Sequence, residues 1–431
     1  MAISSKGAQS AIERLLERGS AEEIVARIGP VSPESEPLPP EVPEMRNWGM
    51  EGVEHRRELI AERLATPIPA LTGERTFDDV TSLRGNIEGF IGMTQVPTGL
   101  IGPLRINGVY AKGDFYVPLA TTEGALLASY HRGAQIASRS GGVTAVCLSE
   151  RVQRSPSFKF ASFGECGTFL IWVLAHRDEF HDVIATVSSH TRLEDIRPNM
   201  DGDQISLVFE FTTGDAAGQN MVTICTEAIC RYIVERIPIS PRAWYVEGNL
   251  SGDKKATALS FTSVRGKKVT AECVVPRAMA TKGLGATPEQ IMDYWKTSVI
   301  NGVQSGSIGV NGQFANGLAA LFMACGQDVG CVAEASVGTT RFDLSEEGDL
   351  YICVTLPNLI VGTVGGGTGL PTQRECLTML GCTGEGTARK FAEICAATIL
   401  CGELSIVGAI AAGDFAKAHA IFGRKRSGAR S

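Results

Sequence analysis

Stretches with helical or strand-like spacing of apolar residues alternate along the chain with stretches rich in proline, glycine or charge. Residues 1–28 show a helical pattern, residues 29–44 are Pro-rich and acidic and predict a linker or extended arm, and residues 53–64 predict a charged helix. Between residues 84 and 119, glycines and prolines interrupt short apolar runs, which predicts loops and short strands. Residues 123–137 again have helical spacing.

The pattern changes between residues 158 and 237, where it predicts a small α+β unit. Helix, strand, strand and helix are predicted in turn, at 168–184, 185–193, 204–213 and 215–237. A further strand is predicted at 243–249. Because apolar sequence continues on both sides of this unit, we interpret it as an insertion within a larger domain.

Elements of the larger domain are predicted again after residue 255. They are two strands, a glycine-containing helical region, a strand that ends in a Gly-rich turn and three helices, at 256–264, 267–276, 288–323, 348–369, 371–380, 384–412 and 414–422. The most apolar part, 396–412, contains Glu403, Gly402 and Gly408 and falls short of the roughly 20 apolar residues of a membrane span. We therefore expect a buried helix there.

Composition narrows the class of protein. With 431 residues, 44% of them apolar and 20% charged, the chain is expected to form two or three soluble domains. A net charge of −7 provides no global positive field to attract nucleic acid or anionic lipid, and we interpret the short basic end, 424–430, as a solvated tail. The twelve cysteines include no CxxC pair, and the N-terminal helix lacks the apolar centre of a signal peptide. We expect buried thiols, no metal cluster, no membrane and a cytoplasmic location.

Several stretches contain residue types suited to chemistry, although each also has a purely structural interpretation. "VGTVGGGTGLP" at 361–371 is either a tight turn or backbone that approaches a phosphate or nicotinamide. In "FTTGDAAGQNM", Asp215 is a suitable N-cap or first-turn acid, and Gly218 belongs either to a plain capped helix or to one that contacts a ligand. Glu123 in "VPLATTEGALLASYHRG" is either an ordinary first-turn acid, with Thr121 or Thr122 as the cap, or a proton donor to a carbonyl oxygen.

Three further residues have the same two interpretations. Lys254, next to Asp253 in "GNLSGDKK", lies either in a solvated loop or at a catalytic site as a cation beside a carboxylate. Asp328, in "ACGQD", is either a turn residue or a functional acid. His419, in "KAHA", is either a surface histidine or a proton donor and acceptor near neutral pH.

Taken together and in order, these stretches resemble the 3-hydroxy-3-methylglutaryl-CoA (HMG-CoA) reductases, the mevalonate-forming enzymes. The match runs from about residue 88 to 424 and includes "EGFIG…VPTGLIGPL", "VPLATTEGALLAS…RG", "GDAAGQNM", "GNLSGDKK", "ACGQD", "GTVGGGTGLPTQRECLTMLG", "CGELSIVGAIAAG" and "KAH". The "GTVGGGT" run and the C-terminal histidine segment resemble class I, the form shared by eukaryotes and some bacteria. We expect no membrane anchor of the kind found in the eukaryotic members.

The resemblance implies a fold and an assembly. A large α/β domain would bind the substrate, and a small ferredoxin-like α+β domain inserted within it would bind the cofactor. The expected divisions are a helical segment with a Pro-rich linker at 1–60, the first part of the large domain at 61–155, the inserted NADP-binding domain at 156–242, and the second part, with the catalytic histidine, at 243–431. Members of the family form homodimers or homotetramers with shared active sites.

The resemblance also implies a reaction, in which two hydride transfers from NADPH convert HMG-CoA to mevalonate and free CoA without a metal; NADH is the less favoured alternative, which Ala217 and Gln219 leave open. Lys254 matches the lysine that stabilises negative charge on the thioester oxygen. His419 matches the histidine that protonates the departing thiolate, and Glu123 matches the acid that protonates the final alkoxide. Asp328 matches the aspartate that hydrogen-bonds the lysine and the glutamate.

Binding residues follow from the same resemblance. The HMG and CoA contacts are expected at Arg154, Asn249, Asp253, Lys255, Asn316, Ser129 and Arg132. The cofactor contacts are expected at Asp215, Gly218, Asn220, Met221, Gly365, Gly366 and Gly367, with Arg192 or Arg424 at the 2′-phosphate. Within the HMG group of contacts, a guanidinium fork at Arg154 is suited to holding a carboxylate.

Departures from the family pattern leave alternatives open. Ala217 and Gln219 replace two methionines of the cofactor stretch, Gly89 replaces an asparagine, Gln313 replaces a histidine, and Glu247 replaces a serine near the HMG group. A negative charge at Glu247 would repel an acidic substrate unless a neighbour neutralises it. Two other functions are therefore also considered: a reductase of a related acyl-CoA thioester, and a non-catalytic homologue that binds CoA.

Overall fold

A computed structural model of the protein describes residues 5–75, 77 and 79–416. The α-helices of this part are α1 Ser5–Leu16, α2 Ala21–Ile28, α3 Met50–Leu64, α4 Pro69–Thr72, α5 Leu126–Arg139, α6 Phe163–Ala175, α7 Glu179–Ala185, α8 Gln219–Arg236, α9 Arg277–Leu284, α10 Pro288–Gln304, α11 Phe314–Ala324, α12 Val332–Ala335, α13 Pro371–Met379 and α14 Ala388–Ala411. The strands are β1 Thr98–Gly108, β2 Lys112–Ala120, β3 Val143–Arg154, β4 Ser157–Lys159, β5 Arg192–Asp201, β6 Gln204–Thr212, β7 Ala243–Tyr245, β8 Gly266–Val275, β9 Thr339–Leu344 and β10 Leu350–Leu359. The fold is therefore mixed α/β.

The strands form one extended sheet in which β3 joins two parts. The order along the sheet is β7-β4-β6-β3-β8-β10-β9, with β1 and β2 added beside β3 and with β5 beside β6. The first part of β3 pairs antiparallel with β8, and its last three residues pair antiparallel with β6. Arg154, the last residue of β3, therefore lies where the two parts of the sheet meet.

Two hydrophobic cores accompany the two parts of the sheet. The larger core joins β1, β2, β8 and β10 to α5, α11 and α14. The smaller core consists of side chains from β4, β5 and β6 packed against α6, α7 and α8, and all its residues fall between Val152 and Trp244. The stretch between β3 and β7 thus has a core of its own, and its first strand, β4, pairs with β7, where the chain leaves it.

Helix α14 is the central helix of the larger core. It packs against α5, α10, α11, β3, β8 and β10, and nearly all of its residues are buried. Within the described part of the chain it is the one helix long and apolar enough to cross a membrane, but 83% of its most apolar window is buried inside the protein. The expectation of a buried helix in this region is confirmed.

Two buried carboxylates on α14 accept hydrogen bonds from chain segments around the larger core. Glu393 accepts hydrogen bonds from the backbone amides of Tyr110, Ala111 and Cys147, and burial raises its pKa to about 7. Glu403 accepts from the amides of Gly312 and Gln313 and from the hydroxyl of Thr340. Because each carboxylate has three donors, these charged residues are tolerated within an apolar helix.

Several predicted elements are confirmed, and others are wrong. The strand predicted at 185–193 is wrong: those residues end α7 and form a loop, and the strand begins only at Arg192. The strand predicted at 256–264 is a 3₁₀ turn at Ala258–Phe261 with flanking loops. Residues 84–119 contain two long strands, β1 and most of β2, rather than short ones, while β9 and α9 were not predicted.

The long helix predicted at 288–323 is two helices. The loop between α10 and α11 contains Gly306 and Gly309, both with positive φ, which other residues adopt only at a cost. A Cβ on Gly309 would lie 2.3 Å from the carbonyl oxygen of Gly338, so close packing also requires glycine there. The helix predicted at 168–184 is likewise divided into α6 and α7, and most of the predicted helix at 414–422 lies outside the described residues.

The cysteines are unpaired, and all but one are buried. Cys353 is partly exposed, and the other eleven are enclosed by the two cores. Burial raises the pKa of Cys230 and of several similar thiols, so they stay protonated and act as small apolar side chains.

Candidate active site

The loop at 247–255, between β7 and the 3₁₀ turn at Ala258–Phe261, adopts an unusual backbone conformation. Asn249, Gly252 and Lys254 have φ angles of 65°, 73° and 55°, in the left-handed region. For a non-glycine residue this conformation costs on the order of 1–2 kcal/mol. Two such residues within six positions indicate that surrounding contacts fix the loop.

Lys254 forms an ion pair with Asp328. The distance from its Nζ to Oδ2 of Asp328 is 2.8 Å, and Oδ1 of Asp328 accepts a hydrogen bond from the amide of Gly330. The hydrogen bond to Asp328 raises the pKa of Lys254, so the lysine remains an ammonium at neutral pH. Both side chains are nearly half exposed, at 47% and 43%, and such a pair contributes little to stability. Its effect is to fix a cation at a position that solvent and ligands reach.

Glu123 contacts Asn316 rather than the lysine. It lies in the loop between β2 and α5, where its amide donates to the hydroxyl of Thr121 at 3.0 Å. Nδ2 of Asn316, near the start of α11, donates to Oε1 of Glu123 in a long hydrogen bond of 3.5 Å. The helix expected to start at Glu123 begins at Leu126 instead, so the carboxylate is exposed and is not a first-turn acid.

A cavity of about 410 Å³ lies beside the start of α11 and the chain that follows Lys254. Asn316 and Ala256 are both among its lining residues, and Ala256 follows Lys254 by two positions. The other lining residues come from the loop before α11, from the first turn of α11 and from two further segments: Ser307, Ile308, Asn311, Gly312, Gln313, Phe314, Ala315, Ser336, Val337 and Ile406. No hydrogen bond or ion pair joins Glu123 to Lys254 or Asp328 in the part of the chain that the structure describes. His419, the fourth expected catalytic residue, lies outside the described residues.

Arg154 is buried and its guanidinium has protein partners. Nη1 lies 2.8 Å from Oδ2 of Asp253 and 3.4 Å from Oε2 of Glu247, and Nη2 donates to the carbonyl of Gln219 at 3.2 Å. Oδ1 of Asp253 pairs with Arg265 at 2.8 Å. Burial opposes ionisation of Asp253, but the charges of Arg265 and Arg154 outweigh it and lower its pKa. Asp253 therefore bridges two arginines behind the loop.

Glu247, the charge that the sequence left unexplained, is neutralised and fully hydrogen-bonded. Oε1 accepts from the hydroxyl of Ser155 and from the amide of Asn249, both at 2.7 Å. Oε2 accepts from Ser251 at 3.0 Å, from the amide of Ser155 at 3.3 Å and from Arg154. Glu247 thus fastens the start of the loop to the end of β3.

Two residues that the sequence reasoning missed support the other end of the loop. Glu334, in α12, is completely buried, and its Oε1 accepts from the amide of Lys254 at 3.1 Å and from Nη1 of Arg265. Arg265, just before β8, is 1% exposed and also binds Asp253. No local pattern indicates this pair, because the two residues are 69 positions apart.

The Gly-rich segment at 361–369 passes between the smaller core and the loop that carries Asp328. Val364 forms a parallel bridge with Ala216, close to the start of α8. On the other side, a Cβ on Gly326 would lie 2.3 Å from the carbonyl oxygen of Gly367, so the two backbones are in contact. Gly365 and Gly366 have positive φ and face open space where a Cβ would be. This backbone is therefore accessible to a ligand close to Asp328.

Other expected cofactor residues lie at the start of α8. Asp215 is not its N-cap: its carboxylate accepts from the amides of Gly386 and Ala388, at the start of α14. Gly218 is the N-cap, with φ of 79°, and a Cβ there would lie 2.5 Å from the side chain of Thr213. Conformation and packing therefore explain this glycine. Asn220 is exposed, Met221 is partly buried, and Arg192 is exposed at the start of β5. Arg424 lies outside the described residues.

The remaining expected residues have protein partners in this structure. Ser129 and Arg132 both hydrogen-bond Ser405, at 3.0 Å in each case to its hydroxyl, and so connect α5 to α14. Lys255 is exposed, and its Nζ donates to the carbonyl of Asp253 at 2.9 Å. Among the described residues, no group of three or more His, Cys, Asp or Glu side chains is arranged to hold a metal ion.

Known proteins of one family resemble this chain. A family model described as hydroxymethylglutaryl-coenzyme A reductase matches residues 52–424. A protein of Pyrococcus abyssi named 3-hydroxy-3-methylglutaryl-coenzyme A reductase is 43% identical over 379 residues, which cover 86% of this chain and 92% of that protein. A protein of Aeropyrum pernix with the same name is 45% identical over 375 residues, covering 85% and 89%.

Solved structures provide a similar fold. The class II 3-hydroxy-3-methylglutaryl-CoA reductase of Streptococcus pneumoniae, bound to NADPH in open conformations, matches with a TM-score of 0.67 and 20% sequence identity. The match covers 83% of this chain and 96% of that chain. At this identity the likeness concerns the fold, in which a large sheet is combined with helices.

Proposed function

The chain belongs to the hydroxymethylglutaryl-coenzyme A reductase family, and we propose that it carries out the reaction of that family through the Lys254–Asp328 pair and the groups around it. The reaction is the four-electron reduction of HMG-CoA to mevalonate and free CoA, with two NADPH and two protons consumed. Mevalonate is the precursor of isoprenoids. The observation that carries the proposal for the site is the 2.8 Å ion pair, which is held at an accessible position by the loop at 247–255 with its left-handed residues Asn249, Gly252 and Lys254.

Lys254 stabilises the negative charge that develops when the thioester carbonyl is reduced. Its ammonium is already oriented by Asp328, so little reorganisation is needed when the carbonyl oxygen gains charge. The C–S bond of the resulting adduct then breaks, which gives an aldehyde and the thiolate of CoA. The same ammonium stabilises the second alkoxide, formed when the aldehyde is reduced to the alcohol.

Two proton transfers complete the conversion. Glu123 protonates the final alkoxide, and its position beside Asn316 at the rim of the cavity supports this role. His419 protonates the CoA thiolate, which prevents it from adding back to the aldehyde; this assignment rests on the resemblance alone. Asp328, which binds the ammonium of Lys254, couples the protonation of the lysine to these two proton transfers.

NADPH supplies both hydrides when it is bound. The start of α8 and the Gly-rich segment fit such a group, because α8 begins at Gly218 without a side-chain cap and therefore has free amide groups. Gly365 and Gly366 leave the adjacent backbone open to a dinucleotide. Asn220 and Met221 line this approach, and Arg192 or Arg424 binds the 2′-phosphate that distinguishes NADPH from NADH.

HMG binds near Arg154, with Lys255, Asn249 and Asp253 around it. Lys255 is exposed, and its ammonium is free to turn towards a carboxylate. The CoA moiety passes near Ser129 and Arg132 on α5. Because the charge of Glu247 is neutralised by Arg154, it gives no reason to prefer a different acyl-CoA or a non-catalytic role.

The larger organisation follows the same proposal. Residues 156–242 form the inserted ferredoxin-like NADP-binding domain, residues 61–155 and 243–431 form the substrate domain, and residues 1–60 are the N-terminal segment; the separate smaller core supports this division. The protein acts as a homodimer or homotetramer with shared active sites, supported by several exposed apolar side chains close together in the chain, Ile87, Ile91 and Met93. Eleven buried unpaired thiols support a cytoplasmic location.

The proposal is tested by NADPH oxidation with purified protein. With HMG-CoA as substrate, we expect two NADPH oxidised per HMG-CoA and mevalonate as the product, identified by mass spectrometry. Absence of oxidation with both NADPH and NADH would refute the proposal. Oxidation only with another acyl-CoA would instead favour the related-thioester alternative.

The replacement Glu247→Gln should lower KM for HMG-CoA by about threefold to tenfold, because it removes a negative charge that competes with the substrate carboxylate for Arg154. The glutamine oxygen can still accept from Ser155 and Asn249, whereas its amide nitrogen cannot accept from Arg154, Ser251 or the amide of Ser155 as Oε2 does. Steady-state kinetics checks this, with KM for NADPH as the internal control. An increase in KM for HMG-CoA would contradict the prediction and would mean that Glu247 serves only to hold the loop.

A further inference from the structure

The backbone of Lys254 is held from behind by a buried carboxylate. Glu334 lies in α12 and is completely shielded from solvent. Its Oε1 accepts a hydrogen bond from the amide of Lys254, at the residue whose φ of 55° turns the chain into the left-handed region. The same oxygen accepts from Arg265. The loop at 247–255 is thus fixed at Lys254 by the side chain of Glu334, which is too deeply buried to contact a ligand.

One short stretch of chain, residues 328–334, contacts both the ammonium and the backbone amide of Lys254. Asp328 binds the ammonium, and Glu334, six positions later, binds the amide; the 3₁₀ turn at Val329–Cys331 separates them. Because Arg265 joins Glu334 to Asp253, the residue before Lys254 is held by the same cluster. The direction of the lysine side chain therefore depends on the contacts of Glu334.

Stability alone does not account for a carboxylate at this position. Burying a charge carries a desolvation cost that an ion pair often fails to recover, and an apolar residue would fill the same space more cheaply. Oε2 of Glu334 is buried and has no hydrogen-bond partner within the described part of the chain, so the cost is only partly offset. Burial accordingly raises the pKa of Glu334, against the effect of Arg265.

We propose that Glu334 is a positioning residue, which holds the amide of Lys254 so that the ammonium meets both Asp328 and the reacting carbonyl oxygen. It acts through Lys254 and does not touch the substrate. The kinetic consequence rests on the proposed reductase function, whereas the position of the lysine is measurable without it.

The kinetic test compares Glu334→Ala and Glu334→Gln. Loss of the acceptor in Glu334→Ala should lower kcat by about 10- to 100-fold, as expected when a reacting group is displaced by about 1 Å, with KM for HMG-CoA and NADPH within about threefold of the wild type. Glu334→Gln retains an oxygen for the amide of Lys254 and should recover most of the lost kcat.

The matched control is Glu393→Gln. Glu393 is an equally buried carboxylate that accepts from backbone amides but lies against the β1–β2 turn, away from the loop. Its replacement should lower the unfolding temperature and leave kcat within about twofold of the wild type. If Glu334→Ala yields no folded protein, the double variant Glu334→Leu, Arg265→Leu removes the stranded arginine as well, and the same loss of kcat is expected.

An NMR titration reports the position of Lys254 directly. In protein labelled with [¹³Cε]lysine, the Lys254 signal is assigned by its loss in Lys254→Arg, and its pKa is read from the shift with pH. The titratable groups that face the ammonium are Asp328, Cys331 and Asp253. In Glu334→Ala the pKa of Lys254 should fall towards that of an ordinary lysine, whereas Glu334→Gln and Glu393→Gln should leave it raised.

Two results would overturn the proposal: an unchanged pKa of Lys254 in Glu334→Ala, or equal losses of kcat in Glu334→Ala and Glu393→Gln. If the wild type reduces no HMG-CoA, the proposed function fails, and the titration still decides whether Glu334 positions the lysine.

Discussion

Replacement of Lys254 by alanine should lower kcat for HMG-CoA reduction by about 100- to 1,000-fold, the effect expected when a preorganised donor to a developing oxyanion is removed. The ammonium is oriented by Asp328 at 2.8 Å, and no other cation contacts that carboxylate within the described residues. KM for HMG-CoA should change by less than about threefold, because the lost interaction is made mainly in the transition state.

Two lysine controls separate this role from a general effect of charge. Lys255→Ala removes the neighbouring ammonium and should raise KM for HMG-CoA with a smaller change in kcat. Lys390→Ala removes a lysine that donates to the carbonyl of Gly381, far along the chain on α14, and should leave both constants near the wild type. If Lys254→Ala retains kcat within about threefold of the wild type, Lys254 does not stabilise the transition state.

The sequence predicted the elements with strong, regular periodicity. Helices α8 and α14 and strands β6, β8 and β10 lie close to where their apolar spacing placed them, because their apolar residues are buried in the two cores. The wrong strand at 256–264 has similar β-branched and apolar residues, but it is a 3₁₀ turn with flanking loops. Tertiary contacts outweighed its local propensity.

The local chemistry of the site was predictable only in part. The order of motifs identified Lys254 and Asp328, which the structure brings into contact, although their catalytic roles stay predictions. Asp215 illustrates the limit: its spacing fits an N-cap of α8, yet it caps α14, which starts 173 positions later. A carboxylate satisfies whichever amides the fold brings to it, and sequence distance carries no information about them.

The charges around the loop show the same limit. Glu247 looked repulsive because only its neighbours in sequence were visible, whereas its neutralising partner, Arg154, is 93 positions away. Glu334 gave no signal at all, since a single glutamate in an apolar stretch is ordinary. Burial and pairing across the fold decide whether such a residue is a surface charge or part of a site.

Replacement of Arg265 by leucine should lower the free energy of unfolding by about 3–5 kcal/mol, the cost of leaving a buried charge without its partner. Arg265 is 1% exposed and pairs with both Glu334 and Asp253; without it Glu334 loses its cation, and Asp253 keeps only Arg154. Urea unfolding followed by tryptophan fluorescence at one protein concentration measures the change. Arg277→Leu, which breaks an exposed pair with Glu289, serves as the control and should stay close to the wild type.

A second variant and the pH dependence of stability test whether the stability lost in Arg265→Leu comes from the unpaired carboxylates. In Arg265→Leu, Glu334→Leu the stranded carboxylate is also removed, so stability should recover in part, and the coupling between the two changes should be large. In the wild type the lowered pKa of Asp253 contributes stability above the pKa of an unfolded aspartate, and this contribution is lost as the pH falls through the lowered, folded pKa.

Without Arg265, the pKa values of Asp253 and Glu334 in the folded protein should both rise. A carboxyl group with a raised pKa destabilises the folded protein at pH values above its pKa in the unfolded chain and has no such effect below that pKa. The difference in free energy of unfolding between Arg265→Leu and the wild type should therefore become steadily smaller from pH 7.5 to pH 5. A gap that stays constant over this range would mean that Arg265 stabilises the protein by packing, and the carboxylates behind the catalytic loop would then not depend on its charge.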